Sequence, residues 1–197
     1  MEAGLIYDPN DPELLREQAE RLKELEAFNR LSTTDHGAKE AYMKRVFASC
    51  GENCYLELPF RANWGGSHVS FGNGIYANFN LTLVDDGPIV VESRVLFGPN
   101  VTVVTAAHPI DPALRERGLQ YNRGVTIREN AWIGAGVTIL PGVTIGRNSV
   151  IGAGSVVTRD IPDNVVAIGS PCRVLRPITE RDHQFYDHDK PIDWGAL

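Results

Sequence analysis

A few residues in this chain stand out as able to do chemistry by their type and place. His108 leads the polar stretch "HPIDPALRERG". An unperturbed imidazole titrates near ~6.5, so it can take a proton from a reacting group and return it to a leaving group close to neutral pH. Asn78 follows Ala77 where the local pattern calls for glycine, and its side-chain amide is a neutral hydrogen-bond donor. Arg173 and Arg176, three positions apart, form a local pair of cations for an anionic ligand. Such a ligand needs a local cluster, because 19 Lys+Arg against 25 Asp+Glu leave a net charge of −6. That balance excludes a general affinity for nucleic acid or anionic membranes. Cys50, Cys54 and Cys172 cannot all pair within one chain and lack the paired Cys/His spacings of a structural zinc site. Inert thiols, no disulfide framework and no metal are expected.

The elements that carry these residues follow from a repeat. From Val125 the chain divides into VTIREN, AWIGAG, VTILPG, VTIGRN, SVIGAG and SVVTRD, which puts Ile127, Ile133, Ile139, Ile145, Ile151 and Val157 at one phase. The same phase runs upstream through Phe71, Ala77 and Leu83, slips at Gly87 and Pro88, and resumes at Val91, Phe97 and Val103. Neither a helix nor a long strand keeps a six-residue period, so the repeat is itself the folding unit. Three hexads make one triangular coil of a parallel β-helix, with the anchors inside and neighbouring coils ~4.8 Å apart. Twelve anchors predict about four coils. Residues 1–57 read as a helical annex. Asp11 would cap a first helix with Pro12 at its first position and Leu15, Leu22 and Leu25 inward; a second helix would be closed by Gly51. The annex should cover the open first coil. The β-helix is expected over 58–176 with a projecting loop at 105–124, and 177–197 is expected as a surface tail. No leader segment and no long apolar run are read in the chain, so a cytoplasmic protein is expected.

The stretches "YANFNLTLVDDG" and "FGPNVTV", the His108-Pro109 pair and "WIGAGVTILPGVTIGRNSVIGAGSVVTRDIPDNVVAIGSPCRV" together resemble the maltose, galactoside and nodulation-factor O-acetyltransferase branch of the hexapeptide-repeat acyltransferases. The resemblance spans nearly the whole chain. It implies a mainly β fold, a left-handed parallel β-helix with a small amino-terminal helical annex, assembled as a homotrimer with active sites between subunits. It also implies direct transfer of an acetyl group from acetyl-CoA to a hydroxyl of a sugar or glycoside. His108 would be the general base and Asn78 the oxyanion donor, while Asp8, Asn63, Asp86 and Gln120 would meet the acceptor. Ala135 and Ala153 would line the pantetheine groove, and Thr158, Arg159, Arg173 and Arg176 would contact the nucleotide end. Trp132, between inward Ala131 and Ile133, should face outward, toward a subunit interface or the acetyl end of the cleft.

Three places depart from the family pattern. Ala107 stands where relatives often have glycine before the His-Pro pair. Asn63 replaces an aspartate or serine beside a one-residue insertion, leaving Trp64 as the other candidate. Gln120 falls where the galactoside enzyme has methionine, which argues against a galactoside acceptor. A β-helical carbonic anhydrase would need three zinc histidines, and only His68 and His108 stand near, unless His36 joins them. A non-catalytic scaffold would not need the His-Pro loop together with Asn78. An antibiotic O-acetyltransferase on the same prism stays open, since acceptor choice rests on a few loop residues.

Overall fold

The computed structural model describes residues 4–196. Its body is a parallel β-helix of about six turns, built on three faces. The first face stacks Ser49–Cys50, Val69–Phe71, Ile89–Val91, Val125–Ile127 and Thr144–Ile145. The second stacks Tyr55–Leu56, Tyr76–Ala77, Leu96–Phe97, Trp132–Ile133, Val150–Ile151 and Val165–Ile168, and the third Arg61–Ala62, Thr82–Val84, Thr102–Val104, Thr138–Ile139 and Val156–Val157. Register follows the repeat: Ile139 lies between Val103 and Val157, and Ile133 between Phe97 and Ile151.

All twelve anchors read from the sequence are buried, and most are fully so. Each buried branched side chain contributes ~1.5–3 kcal/mol relative to exposure. The expectation of about four coils was short at both ends. A first coil is formed by Cys50, Leu56 and Ala62, and a last partial one by Ile161, Ala167 and Cys172. Residues 49–57, expected in the annex, are strands and turns of that first coil. Their anchors were hard to read because cysteine and alanine are weak apolar signals, and the loop after Ala62 shifts the phase before Phe71.

The corners between the first and second faces need a left-handed backbone. Asn53, Arg94, Asn130, Asn148 and Asn164 supply it at φ 58, 62, 59, 58 and 57°, with Gly74 at φ 66° in the remaining coil. Asparagine tolerates this region better than other L residues. The side-chain amides also form a ladder, Asn130 donating to Asn148 at 3.0 Å and Asn148 to Asn164 at 2.8 Å.

Helix α1 (Pro12–Phe28) starts where Asp11 accepts from the amides of Glu13 and Leu14, with proline in the first turn. Only Leu25 and Phe28 of its apolar stripe are buried, whereas Leu15 and Leu22 stay partly exposed. Helix α2 (His36–Val46) ends at Val46, not at Gly51. Gly51 is instead a coil turn in which a Cβ would meet the Gly72 carbonyl oxygen at 2.7 Å. Phe28, Tyr42, Met43, Val46 and Phe47 close the base of the prism against Phe60 and Phe71.

At the other end, Arg173–Pro177 folds back antiparallel on Val165–Ile168. The tail, expected to run over the surface, is mostly exposed there and forms a short helix, Glu180–Gln184, and a strand pair, Phe185–Tyr186 with Lys190–Pro191. Among the described residues no helix is long and apolar enough to cross a membrane. The three cysteines are free thiols.

Candidate functional site

The rhythm breaks between the third and first faces. Thr105 to Arg123 leave the prism as an excursion whose neck is a two-stranded ribbon, Ala106–Ala107 against Tyr121–Asn122. Ala107 pairs there with Tyr121 and has no positive φ, so the missing glycine is not needed. His108 follows directly and is exposed. Its Nδ1 lies 2.8 Å from the carbonyl oxygen of Leu119. A carbonyl can only accept, so this contact puts the proton on Nδ1 and, in the neutral ring, leaves Nε2 as the acceptor. The tip of the excursion is a one-turn helix, Pro112–Glu116, capped by Asp111.

A concavity of about 260 Å³ opens beside the neck, lined in part by Tyr7, Asn63, Trp64, Asp86 and Gln120. The two aspartates of "VDDG" divide the work. Asp85, fully buried, accepts from the backbone amides of Trp64 at 2.8 Å and Gly66 at 2.9 Å and so shapes the loop after Ala62. Burial pushes its carboxyl above the ordinary aspartate value, partly offset by those amides. Asp86 faces the concavity, where Asn63 donates to Oδ2 at 2.9 Å and Gln120 to Oδ1 at 3.1 Å. Asn63 is therefore the side chain in contact with Asp86, while Trp64 lines the wall. Asp8 holds one carboxylate oxygen against the backbone amide of Asn10 at 2.9 Å.

Sequence reasoning passed over Tyr7 and Asn122. The Asn122 amide donates to the Asp86 carbonyl at 3.0 Å and to the Tyr7 hydroxyl at 3.1 Å, and the Gln120 amide also donates to that hydroxyl. Burial raises the Tyr7 phenol above its ordinary value, against the lowering effect of the Asn122 and Gln120 contacts. One signal was present: Gln120 and Asn122 alternate on an extended segment, which sends two buried amides to one side.

Asn78 stands elsewhere, at the corner between the second and third faces. Its Oδ1 accepts from the Phe79 amide at 2.8 Å, and the residue is partly exposed. Ala135 and Ala153 occupy exposed positions at the same corner, on successive coils. Trp132 is 53% exposed on the outer side of the second face, level with Leu96 at 46%. Thr158, Arg159 and Arg173 are exposed near the upper end. Arg176 differs from expectation in its surroundings: its guanidinium makes two bonds to Asp182, at 2.8 and 2.7 Å. A larger concavity, about 710 Å³, lies under the tail, but its two arginines, Arg176 and Arg181, are both already paired with aspartates. His68 places Nδ1 2.6 Å from the Asp85 carbonyl oxygen, and His36 packs on Tyr55, so neither joins His108. Among the described residues no group of three His, Cys, Asp or Glu side chains is arranged to hold a metal ion.

Comparison with known proteins gives a consistent picture. The family model for the maltose acetyltransferase hexapeptide capping motif matches residues 1–51, and that for bacterial transferase hexapeptide (six repeats) matches residues 124–159. A galactoside O-acetyltransferase of Lactococcus lactis is 58% identical over 188 residues, covering 95% of this chain and 91% of that protein. A galactoside acetyltransferase solved in complex with coenzyme A superposes with a TM-score of 0.93 at 42% identity, covering 97% of this chain and 95% of the other. A maltose O-acetyltransferase from Clostridium difficile superposes with a TM-score of 0.87 at 40% identity, covering 90% and 94%.

Proposed function

The chain belongs to the maltose and galactoside O-acetyltransferase family of hexapeptide-repeat proteins, and on that premise we propose that it moves the acetyl group of acetyl-CoA directly to a hydroxyl of a sugar or glycoside, with His108 as general base. A hydroxyl is a weak nucleophile near neutral pH, so a base must take its proton as it attacks the thioester carbonyl. The observation that carries this reading is the Leu119 carbonyl on Nδ1 of His108, which leaves Nε2 as the acceptor. The same nitrogen, once protonated, can return the proton to the departing thiolate of coenzyme A. With Oδ1 of Asn78 held by the Phe79 N–H, its NH2 end would donate to the oxyanion of the tetrahedral intermediate. The acceptor would rest against Asp86, Asn63, Gln120 and Asp8. The pantetheine arm would run past Ala135 and Ala153, and the nucleotide end would meet Thr158, Arg159 and Arg173, with Arg176 beside them in its pair with Asp182.

The third face of the prism stands between the corner of Asn78 and the corner from which His108 projects. This separation supports a site shared between two subunits, in which one chain's loop meets its neighbour's groove, and a cyclic homotrimer satisfies it. The exposed Leu96 and Trp132 supply apolar surface for such an interface. The test uses His108→Ala and Asn78→Ala. Each should bind acetyl-CoA normally and lower turnover by roughly 10² to 10⁴ for the base and 10² to 10³ for the amide. Turnover of the unaltered protein should rise with pH through one ionisation that the His108→Ala protein lacks. Mixed assemblies of the two variants should regain activity. Near-normal turnover by His108→Ala would end the base assignment, and inactive mixed assemblies would end the shared site.

A further inference from the structure

The peptide unit that orients His108 is itself held from behind. Leu119 and Gln120 share one peptide plane, in which C=O and N–H point in opposite directions. The carbonyl accepts from His108 Nδ1 at 2.8 Å, and the N–H donates to the Tyr7 carbonyl at 3.0 Å. Tyr7 closes the pair by donating its own N–H to the Gln120 carbonyl at 2.9 Å, so the amino-terminal arm meets the chain beside the ribbon that carries the base at a single antiparallel bridge. Among the described residues, the arm is otherwise largely exposed near this point. Leu5, Ile6 and Asp8 are exposed, and Tyr7 is half-buried, with its hydroxyl held by the amides of Gln120 and Asn122. Those two amides also hold Asp86.

We propose that Tyr7 is a positioning residue for His108. Its backbone sets the plane of the Leu119–Gln120 peptide, and its hydroxyl pins the arm to the amides that surround Asp86, so that the acceptor pocket and the base share one support. The inference rests on His108 being the base. The hydrogen bonds run in one chain, from imidazole to peptide carbonyl and from peptide N–H to the Tyr7 carbonyl, and each link polarises the next. Losing the arm leaves the imidazole free to turn or to exchange tautomers, which lowers the fraction of encounters with Nε2 in place.

The test is a double-mutant cycle in the full chain. Tyr7→Phe removes the hydroxyl alone; Tyr7→Gly removes the whole side chain and so leaves the backbone pair with Gln120 without the pin that holds the arm against it, while Asp8 is retained. Each is made with His108 present and with His108→Ala, and turnover, acceptor KM, acetyl-CoA affinity and melting temperature are measured. With His108 present, Tyr7→Gly should lower turnover about tenfold, which corresponds to ~1.4 kcal/mol of barrier, and Tyr7→Phe about threefold. In the His108→Ala background neither should change the residual turnover at saturating acceptor by more than about twofold, because the group they position is gone, whereas any rise in acceptor KM from the loosened Asp86 contacts should be the same in both backgrounds. Acetyl-CoA affinity and melting temperature should be retained throughout. Equal losses in both backgrounds would overturn the proposal, as they would mean that Tyr7 acts on the fold or on binding alone. No loss with His108 present would overturn it too. Full turnover by His108→Ala without any change at Tyr7 would instead remove the base reading, and this inference with it.

Discussion

Arg94 is the corner residue whose replacement by asparagine should stabilise the protein. It holds φ 62° where the equivalent positions of the other coils are asparagine or glycine. The left-handed region costs an ordinary L residue ~1–2 kcal/mol and asparagine much less. Against this stands the loss of the Arg94–Glu129 ion pair at 2.8 Å, whose side chains are 63% and 25% exposed. An exposed pair contributes ~0–1 kcal/mol, and Glu129 keeps a second partner, Arg147, at 3.0 Å. The new amide would also face Asn130 and extend the ladder that joins Asn130, Asn148 and Asn164. Relief of strain therefore wins, by about 0.5–1 kcal/mol, or a rise of about 1–4 °C in melting temperature for a chain of this size. Thermal and urea unfolding of Arg94→Asn measure it, with Arg94→Ala as the control that loses the pair and keeps the strain. Arg94→Ala should fall below the parent. A lower melting temperature for Arg94→Asn would show that the ion pair outweighs the backbone and would refute the argument.

Two further outcomes follow from burial and charge. Ile139→Asp places an unpaired carboxylate between Val103 and Val157 in the interior, where Ile139 is 0% exposed; it should abolish folding, and a soluble variant with the parent's melting temperature and β-type circular dichroism would contradict the packing. Arg176 and the Thr179 amide hold the Asp182 carboxyl below the usual carboxylate range. A lowered native pKa gives stability that is present above the unfolded value of ~3.9 and lost as pH falls through the native one. Tail docking should thus persist near pH ~4 and fail only in stronger acid, and Arg176→Gln should bring the Asp182 titration, followed by NMR, back up toward that ~3.9.

The repeat was legible because each face of each coil must bury one side chain, and Ile, Val, Leu and Phe state that position plainly. Where Cys50, Ala62 and Cys172 fill it, the phase fades, and one coil at each end went unseen. Leu15 and Leu22 satisfied helical spacing, yet the annex rests on the prism through a narrow strip at Leu25 and Phe28, which spacing alone cannot show. For the candidate site, His108 and Asn78 drew notice because they interrupt the pattern, and the resemblance proposed Asp86, Asn63 and Gln120. Tyr7 was not visible. It meets Asn122 across 115 positions of sequence, and the contact that relates it to His108 runs through a backbone plane, which leaves no mark on residue type. Nor could the pairing of Arg176 with Asp182 be read, since both are ordinary surface residues until the tail turns back.

The strand Arg173–Pro177, folded back on Val165–Ile168, also decides how long this molecule is. Every coil presents its successor with a row of amides and carbonyls at strand spacing, the same invitation that one layer of a fibril offers to the next. Parallel stacking has no internal reason to stop at a given layer. A reversed strand answers the invitation with the wrong polarity and a row of exposed side chains, so a further coil finds no template to copy. The strap closes the second face to further parallel stacking, and a chain shortened before Arg173 should associate end to end more readily than the parent, which light scattering would report.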